Sequence, residues 1–159
     1  MCYLGASNSS TAAHKDLCAS SGQNLMVDTE ADGSSFWFMT RSDSAPAAVE
    51  FFQKAFQSEL DHEQILLRPK DFARAPFTVY VAEQKLGDLV YVPRRSCHQV
   101  NNKGGLTLKM SWSRMTVDGL TTAFSHELPL YRRYSFYFFR SVKIFINFSV
   151  EYADLRRTA

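Results

Sequence analysis

The sequence predicts a mainly β domain with one or two added helices, and three observations carry that expectation. Short runs of β-branched and aromatic residues recur, at residues 35–39, 76–82 and 89–92. Turn residues separate the runs: Asp32-Gly33, Gly87-Asp88, Pro93 and Gly104-Gly105. By contrast, Val49, Phe52, Phe56 and Leu60 follow one another at three- and four-residue steps, which is the period of a helix face.

Each element has a local reason. Residues 1–4 suit a short strand, and the polar run Gly5-Ala6-Ser7-Asn8-Ser9-Ser10 a loop leading into Thr11. Residues 23–28 give a second strand, and Ser35-Phe36-Trp37-Phe38-Met39 a third whose continuous apolar character fits burial on both faces. Asp43-Ser44-Ala45-Pro46 is a helix start, with a capping side chain and a proline in the first turn. The helix is expected to continue through Asp61-His62-Glu63-Gln64 as a solvated face. His62 and Glu63 are adjacent there, point about 100° apart and do not share an ion. Residues 87–100 are expected to form a hairpin: an apolar run ended by Pro93, a turn, and a second strand entered by His98. Gly104-Gly105 then turns into a third strand, residues 106–112. Residues 117–130 carry a helical pattern. The dense aromatic run Tyr134-Ser135-Phe136-Tyr137-Phe138-Phe139 suits a helix or strand covering the core, or no formed element at all.

At 159 residues, with 45% hydrophobic content and seven glycines and five prolines, the chain suits one globular domain with a sizeable core. A net charge of +2 without a basic block gives no signal for nucleic acid or an acidic membrane surface. Three cysteines, Cys2, Cys18 and Cys97, match no zinc spacing and suit a reducing compartment. The first eight residues lack the basic and apolar regions of a cleaved signal. The nearest approach to a membrane span, residues 134–150, is interrupted by Arg140 and Lys143. The expected location is inside the cell.

Two stretches carry the chemistry. In Thr11-Ala12-Ala13-His14-Lys15-Asp16 a histidine and a carboxylate stand two residues apart, so in an extended chain they point to one face and can hold one ion. A third ligand, His98, completes two histidines and one carboxylate, the facial set of non-haem iron(II) oxygenases. Read one at a time, His14 and Asp16 also suit a surface turn and His98 a core histidine. Lys15 is expected on the outer side of the strand. Cys97 is expected to point away from the metal and pack.

The pieces Tyr3-Leu4-Gly5, Thr11-x-x-His14-x-Asp16, Asn24, Phe36-Trp37, Gln84-x-x-Gly87-Asp88-Leu89-Val90-x-Val92-Pro93, His98-Gln99-Val100-x-Asn102 and Gly105-Leu106-Thr107-x-Lys109-x-Ser111-Trp112 together resemble a JmjC domain. The resemblance runs from about residue 3 to about residue 120. It implies a cupin-like double-stranded β-helix, or jelly-roll, with a JmjC-like catalytic core over residues 1–120 and a helical or aromatic extension over 121–159. It also implies Fe(II) held by His14, Asp16 and His98, with 2-oxoglutarate as cosubstrate. Such domains normally carry helices and strands ahead of the first histidine, so the expectation is a catalytic core without that support.

In the resembling family Thr11 contributes to the cosubstrate's distal carboxylate and Asn24 lies near its C1 carboxylate. The family's lysine two residues before the tryptophan is here Ser35, which carries no charge. Lys109, on the same face as Ser111 by strand alternation, is the expected substitute. Trp37 and Trp112, each in an apolar strand, are expected in the core. The activity implied is oxidative decarboxylation of 2-oxoglutarate to succinate and CO2, coupled to hydroxylation or N-demethylation of a protein or peptide, a histone tail in the nucleus being one such substrate. A catalytically inactive JmjC-like binding module, favoured by Ser35, and a cupin with another metal are the rival classes. Oligomeric state is left open.

Overall fold

The structure, a computed structural model, describes residues 1–127. The expected aromatic run at 134–139 and the end of the expected helix, 128–130, lie outside the described residues. Contacts divide the described residues into two units: Met1–Asp16 with Ser20–Met115, and Leu17–Ala19 with residues 116–127.

The first unit is a jelly-roll of eight strands: β1 Cys2–Gly5, β2 Ser10–His14, β3 Ser21–Thr29, β4 Ser34–Met39, β5 Tyr80–Gln84, β6 Leu89–Val92, β7 His98–Lys103 and β8 Thr107–Arg114. They form two antiparallel four-stranded sheets, ordered β1-β8-β3-β6 and β2-β7-β4-β5. The hairpin expected over residues 87–100 does not form. β6 pairs with β3 in one sheet, whereas β7 pairs with β2 and β4 in the other. Pro93-Arg94-Arg95, with Arg95 in the left-handed region (φ 61), carries the chain across the sandwich rather than back along it. The expected strand at 76–82 is shifted to Tyr80–Gln84, where it pairs along β4.

Between the sheets, Trp37, Val92 and Val100 form a small apolar core with Met39 and Val90 at its margin. Polar bonds also cross the sandwich. Gln84 Nε2 donates to the carbonyl and the Oδ1 of Asn24, at 2.9 and 3.2 Å, and Lys109 Nζ donates to Asn102 Oδ1 at 2.8 Å.

A second core lies behind β2 and β7. Helix α1, Ala45–Phe56, buries Ala45, Ala48, Phe51 and Phe52, and packs against Ala13, Leu60, Leu67 and Cys97. Asp43 does not cap this helix; its carboxylate pairs with Arg41 instead. The helix also stops earlier than its periodicity predicts. Gln57 turns left-handed (φ 51), and Leu60–His62 form a separate 3-10 turn closed by a left-handed Glu63 (φ 54). Tertiary contacts override the helical pattern here: the turn drives Leu60 into the core and Asp61 against Lys15. Residues 63–67 then run beside β2 and β7, with Ala13 N donating to Ile65 O and buried Gln99 bonding both backbone groups of Leu67. Helix α2, Pro69–Phe72, follows, its first turn closed by Arg68 N donating to the Asp71 carboxylate.

The outer face of β1-β8-β3-β6 is different. Leu4, Leu89, Tyr91, Met110 and Trp112 are all more than two-fifths exposed, so Trp112 belongs to an open sheet face and not to the core expected for it.

The second unit contains a 3-10 turn at Leu17–Ala19 with Cys18 and Ala19 left-handed, helix α3 at Val117–Thr122 and a π-helical turn at Ala123–Glu127. Thr116 caps α3, its Oγ1 accepting from Gly119 N. No helix among the described residues is long and apolar enough to cross a membrane.

Candidate metal centre

The last residue of β2 is His14 and the first of β7 is His98, and the register places them opposite each other, with ring centroids 4.2 Å apart. A register shift between Thr11 and His14 precedes this pairing. Asp16 lies two residues further on, with Oδ1 3.8 Å from His98 Nε2. Potential ligand atoms of the three residues lie within 4.8 Å of one another.

Backbone carbonyls fix both rings. His14 Nδ1 lies 2.8 Å from Ala12 O and His98 Nδ1 3.1 Å from Ser96 O. A carbonyl only accepts, so each Nδ1 carries a proton, which leaves Nε2 as the ligand atom each ring can offer. Burial, and then the neighbouring His14, push the His98 pKa down to about 3, so its imidazole is neutral at ordinary pH. Burial raises the Asp16 pKa; the His14 charge opposes this and Glu63 adds to it. A carboxylate desolvated in this way is relieved by a cation beside it. Two imidazoles and one carboxylate on the wall of an open cavity therefore fit a divalent first-row ion such as iron(II).

That cavity, about 290 Å³, opens between the sheets and takes in Thr11, Asn24, Lys109 and Ser111 together with the three ligands. Its size sits near the lower end of the ~300–1,000 Å³ typical of small-molecule sites. Lys109 is 4% exposed, and burial lowers its pKa to about 8. Its ammonium donates to Asn102 Oδ1, the atom that also accepts from Ser35 Oγ at 2.7 Å. Lys109 thus brings a positive charge from the opposite sheet to the side-chain oxygen that Ser35 reaches from β4. Asn24 lines the cavity, its Oδ1 engaged by Gln84. Ser111 Oγ is committed to Gln23 O at 3.0 Å, which leaves it a wall residue, and Thr11 is exposed on the cavity rim.

Four contributors are not among the site residues expected from the sequence. Gln84, 1% exposed, accepts from Trp37 Nε1 at 2.8 Å, and Trp37 stacks on His98 with centroids 6.0 Å apart. Trp37 is thus core and ligand support at once. Asn102 holds Lys109 and is itself oriented by donating to Ser9 Oγ at 2.9 Å. Two glycines make room: a Cβ on Gly22 would lie 2.6 Å from Asp16 Oδ2, and one on Gly5 2.5 Å from Asn102 Nδ2. Gln84, Asn102 and Gly5 stand within the stretches that carry the resemblance, but nothing local to any of the four marks its partner across the sandwich. Cys97 packs in the α1 core, where burial pushes its thiol up to about 12. Lys15 is not on an outer surface: it is 3% exposed, because α1 and the turn after it cover that side of β2.

Comparison with known proteins agrees with this geometry. The family described as "JmjC domain, hydroxylase" matches residues 1–113. C-module-binding factor A of Dictyostelium discoideum is 34% identical over 132 residues, which is 82% of this chain. The chain spans only 13% of that relative's length. With the fold, the paired histidines and the carboxylate all in place, the chain belongs to the JmjC domain family.

Proposed function

We propose that this domain is an Fe(II)- and 2-oxoglutarate-dependent oxygenase that hydroxylates or demethylates a protein side chain, with a histone lysine in the nucleus as one substrate of that class. The observation that carries the reading is the pairing of a His14–Asp16–His98 cluster with a buried, positively charged Lys109 in one cavity. The first holds a metal and the second holds the far end of a dicarboxylate.

His14, Asp16 and His98 would hold the iron. Iron held there would let dioxygen be reduced by two electrons from the decarboxylation of 2-oxoglutarate and two from the substrate C–H bond, one oxygen atom ending in succinate and the other in the substrate hydroxyl, with CO2 released. The remaining roles fall to this chain. Lys109, steadied by Asn102, pairs with the C5 carboxylate of 2-oxoglutarate, and Thr11 offers a hydroxyl to the same end. Asn24 donates to the C1 carboxylate, and Ser111 shapes the wall. Trp37 and Val100 give the cavity an apolar side. If the oxidised carbon is an N-methyl group, the hydroxylated product collapses to formaldehyde and the free amine; if it is a chain carbon, the product is the alcohol.

A second reading, a binding module without catalysis, is favoured by the uncharged Ser35 and by a relative whose name is that of a binding factor. One experiment separates them: anaerobic addition of Fe(II) and then 2-oxoglutarate, followed through the weak visible charge-transfer band of the chelate. The band should form in the wild type, be lost in Asp16→Ala, and need at least about tenfold more 2-oxoglutarate in Lys109→Met, as expected for loss of a charge-assisted hydrogen bond. Folded, iron-loaded protein without a band would establish the binding module instead.

A further inference from the structure

The ion pair Lys15–Asp61 sits on the side of β2 opposite the cavity, with Nζ 3.4 Å from Oδ1 and side chains 2% and 7% exposed. Lys15 is the residue between the two ligands His14 and Asp16. Strand alternation explains the arrangement: His14 faces the cavity, while Ala13 and Lys15 face the apolar layer built on α1. A lysine entering such a layer is costly unless its charge is met, and Asp61 meets it from the 3-10 turn Leu60–His62.

β2 ends at His14, so Asp16 lies beyond the strand that fixes the two histidines. Both histidines are set by the sheet register and by carbonyls at their Nδ1 atoms, whereas the position of Asp16 is inherited from the segment that carries it. The fold departs from its local pattern to supply the tether. A continuous helix through residues 61–64 would have served the apolar periodicity, yet the chain breaks it at Gln57 and turns Asp61 inward.

We infer that Lys15 and Asp61 are positioning residues for the metal centre: their buried pair ties the segment between the ligands to the α1 layer and so sets where the Asp16 carboxylate stands relative to the histidines. The inference rests on the metal reading of the His14–Asp16–His98 cluster. Asp61 then matters to metal affinity although it does not line the cavity, and a role confined to packing predicts no such effect.

Cobalt(II) alone is the probe, added to the full chain and read by its d–d absorption, with thermal unfolding measured beside it. The test variant is Lys15→Met with Asp61→Leu, because replacing both members of a buried pair by apolar groups is often neutral for stability. Expected is unfolding within a few degrees of the wild type, with cobalt affinity lower by about 10–100-fold and an altered band, the usual consequence of losing an outer-shell support. Asp61→Glu, which keeps the charge and lengthens the tether, should weaken cobalt by a smaller factor, and it decides the matter if the double variant does not fold. Lys15→Arg, which keeps the pair, should stay nearest to the wild type. Unchanged affinity and band in folded variants would overturn the inference and leave the metal site standing. A wild type that binds no cobalt would overturn both.

Discussion

The two sheets of this sandwich share an interior but differ outside it. The β2-β7-β4-β5 sheet carries both histidines on its inner face and is covered on the outer side of β2 and β7 by the α1 core, where Phe52 and Leu60 are 1% exposed. The β1-β8-β3-β6 sheet carries Lys109, Asn24 and Ser111 inside and leaves Leu4, Leu89, Tyr91, Met110 and Trp112 open on its outer face. The His14–Asp16–His98 cluster, which would need the tightest geometry to hold an ion, is built where packing holds the backbone of β2 and β7 from behind. Lys109, Asn24 and Ser111, which would meet a dicarboxylate by charge and hydrogen bonds, rest on the sheet whose outer face is open among the described residues. Rigidity is placed where coordination demands it.

The largest expected effect tests that backing. Phe52→Ala should destabilise the domain by about 3–5 kcal/mol, the range for a large buried aromatic, and lower the unfolding temperature accordingly. A loss below about 1 kcal/mol in chemical denaturation would show that the α1 layer does not support the ligand sheet as the packing implies.

Next comes the contact between the sheets at the metal. Gly22 of β3 lies against Asp16, and an added methyl group would stand 2.6 Å from Oδ2. Gly22→Ala should therefore weaken metal by about 10–100-fold, comparable to losing an outer-shell partner, while costing less stability than Phe52→Ala. Isothermal titration with cobalt(II) measures it. Affinity equal to the wild type would mean that Asp16 has room the structure does not give it.

Much of this was legible in the sequence, for identifiable reasons. The cluster that could hold a metal was readable because His14 and Asp16 stand at the two-residue step that puts side chains on one face, and because His98 follows a Gly-Asp start and an apolar run in fixed order. The strands at 35–39 and 89–92 were readable from β-branched and aromatic content bounded by turn residues. The pairing of strands was not. Residues 87–100 have the local look of a hairpin, and only the register with distant β3 and β2 shows that the chain crosses between sheets at Pro93-Arg94-Arg95. Lys15 and Asp61 failed for the same cause: 46 positions separate them, and nothing near either one announces a buried partner. Trp112 resembled Trp37 in its strand context, yet alternation set one outward and the other onto His98.

Lys109 gives a smaller effect with a definite sign. Its pKa is lowered by burial to about 8, against an ordinary value of 10.5. Between those values the unfolded chain binds the proton more readily than the folded one, so the ligand-free protein should gain stability as pH rises from about 8 toward 10.5. Dicarboxylate binding should run the other way. The charged form is the one that holds a carboxylate, so 2-oxoglutarate affinity should fall as pH rises above about 8, approaching tenfold per pH unit at most. Facing the same cavity are the Tyr3 phenol, raised by burial and then by Asp16 and Glu63, and the metal ligands themselves. The comparison with Lys109→Met isolates the lysine: its affinity should be weak and flat over pH 7.5–9. An equally steep profile in that variant would assign the proton to another group.

The smallest effect belongs to the open sheet face. Leu89 and Tyr91 are 56% and 55% exposed, and both lie on β6 at the edge of the β1-β8-β3-β6 sheet. Exposed positions of this kind contribute little to folding, and threonine keeps the β-branched preference of a strand. Leu89→Thr with Tyr91→Thr should therefore change stability by no more than about 0.5 kcal/mol at each site and leave metal and 2-oxoglutarate binding as they are. Denaturant unfolding and the charge-transfer band provide both readings. A loss near that of Phe52→Ala would mean that this face is covered after all, and the contrast between a backed sheet and an open one would fall with it.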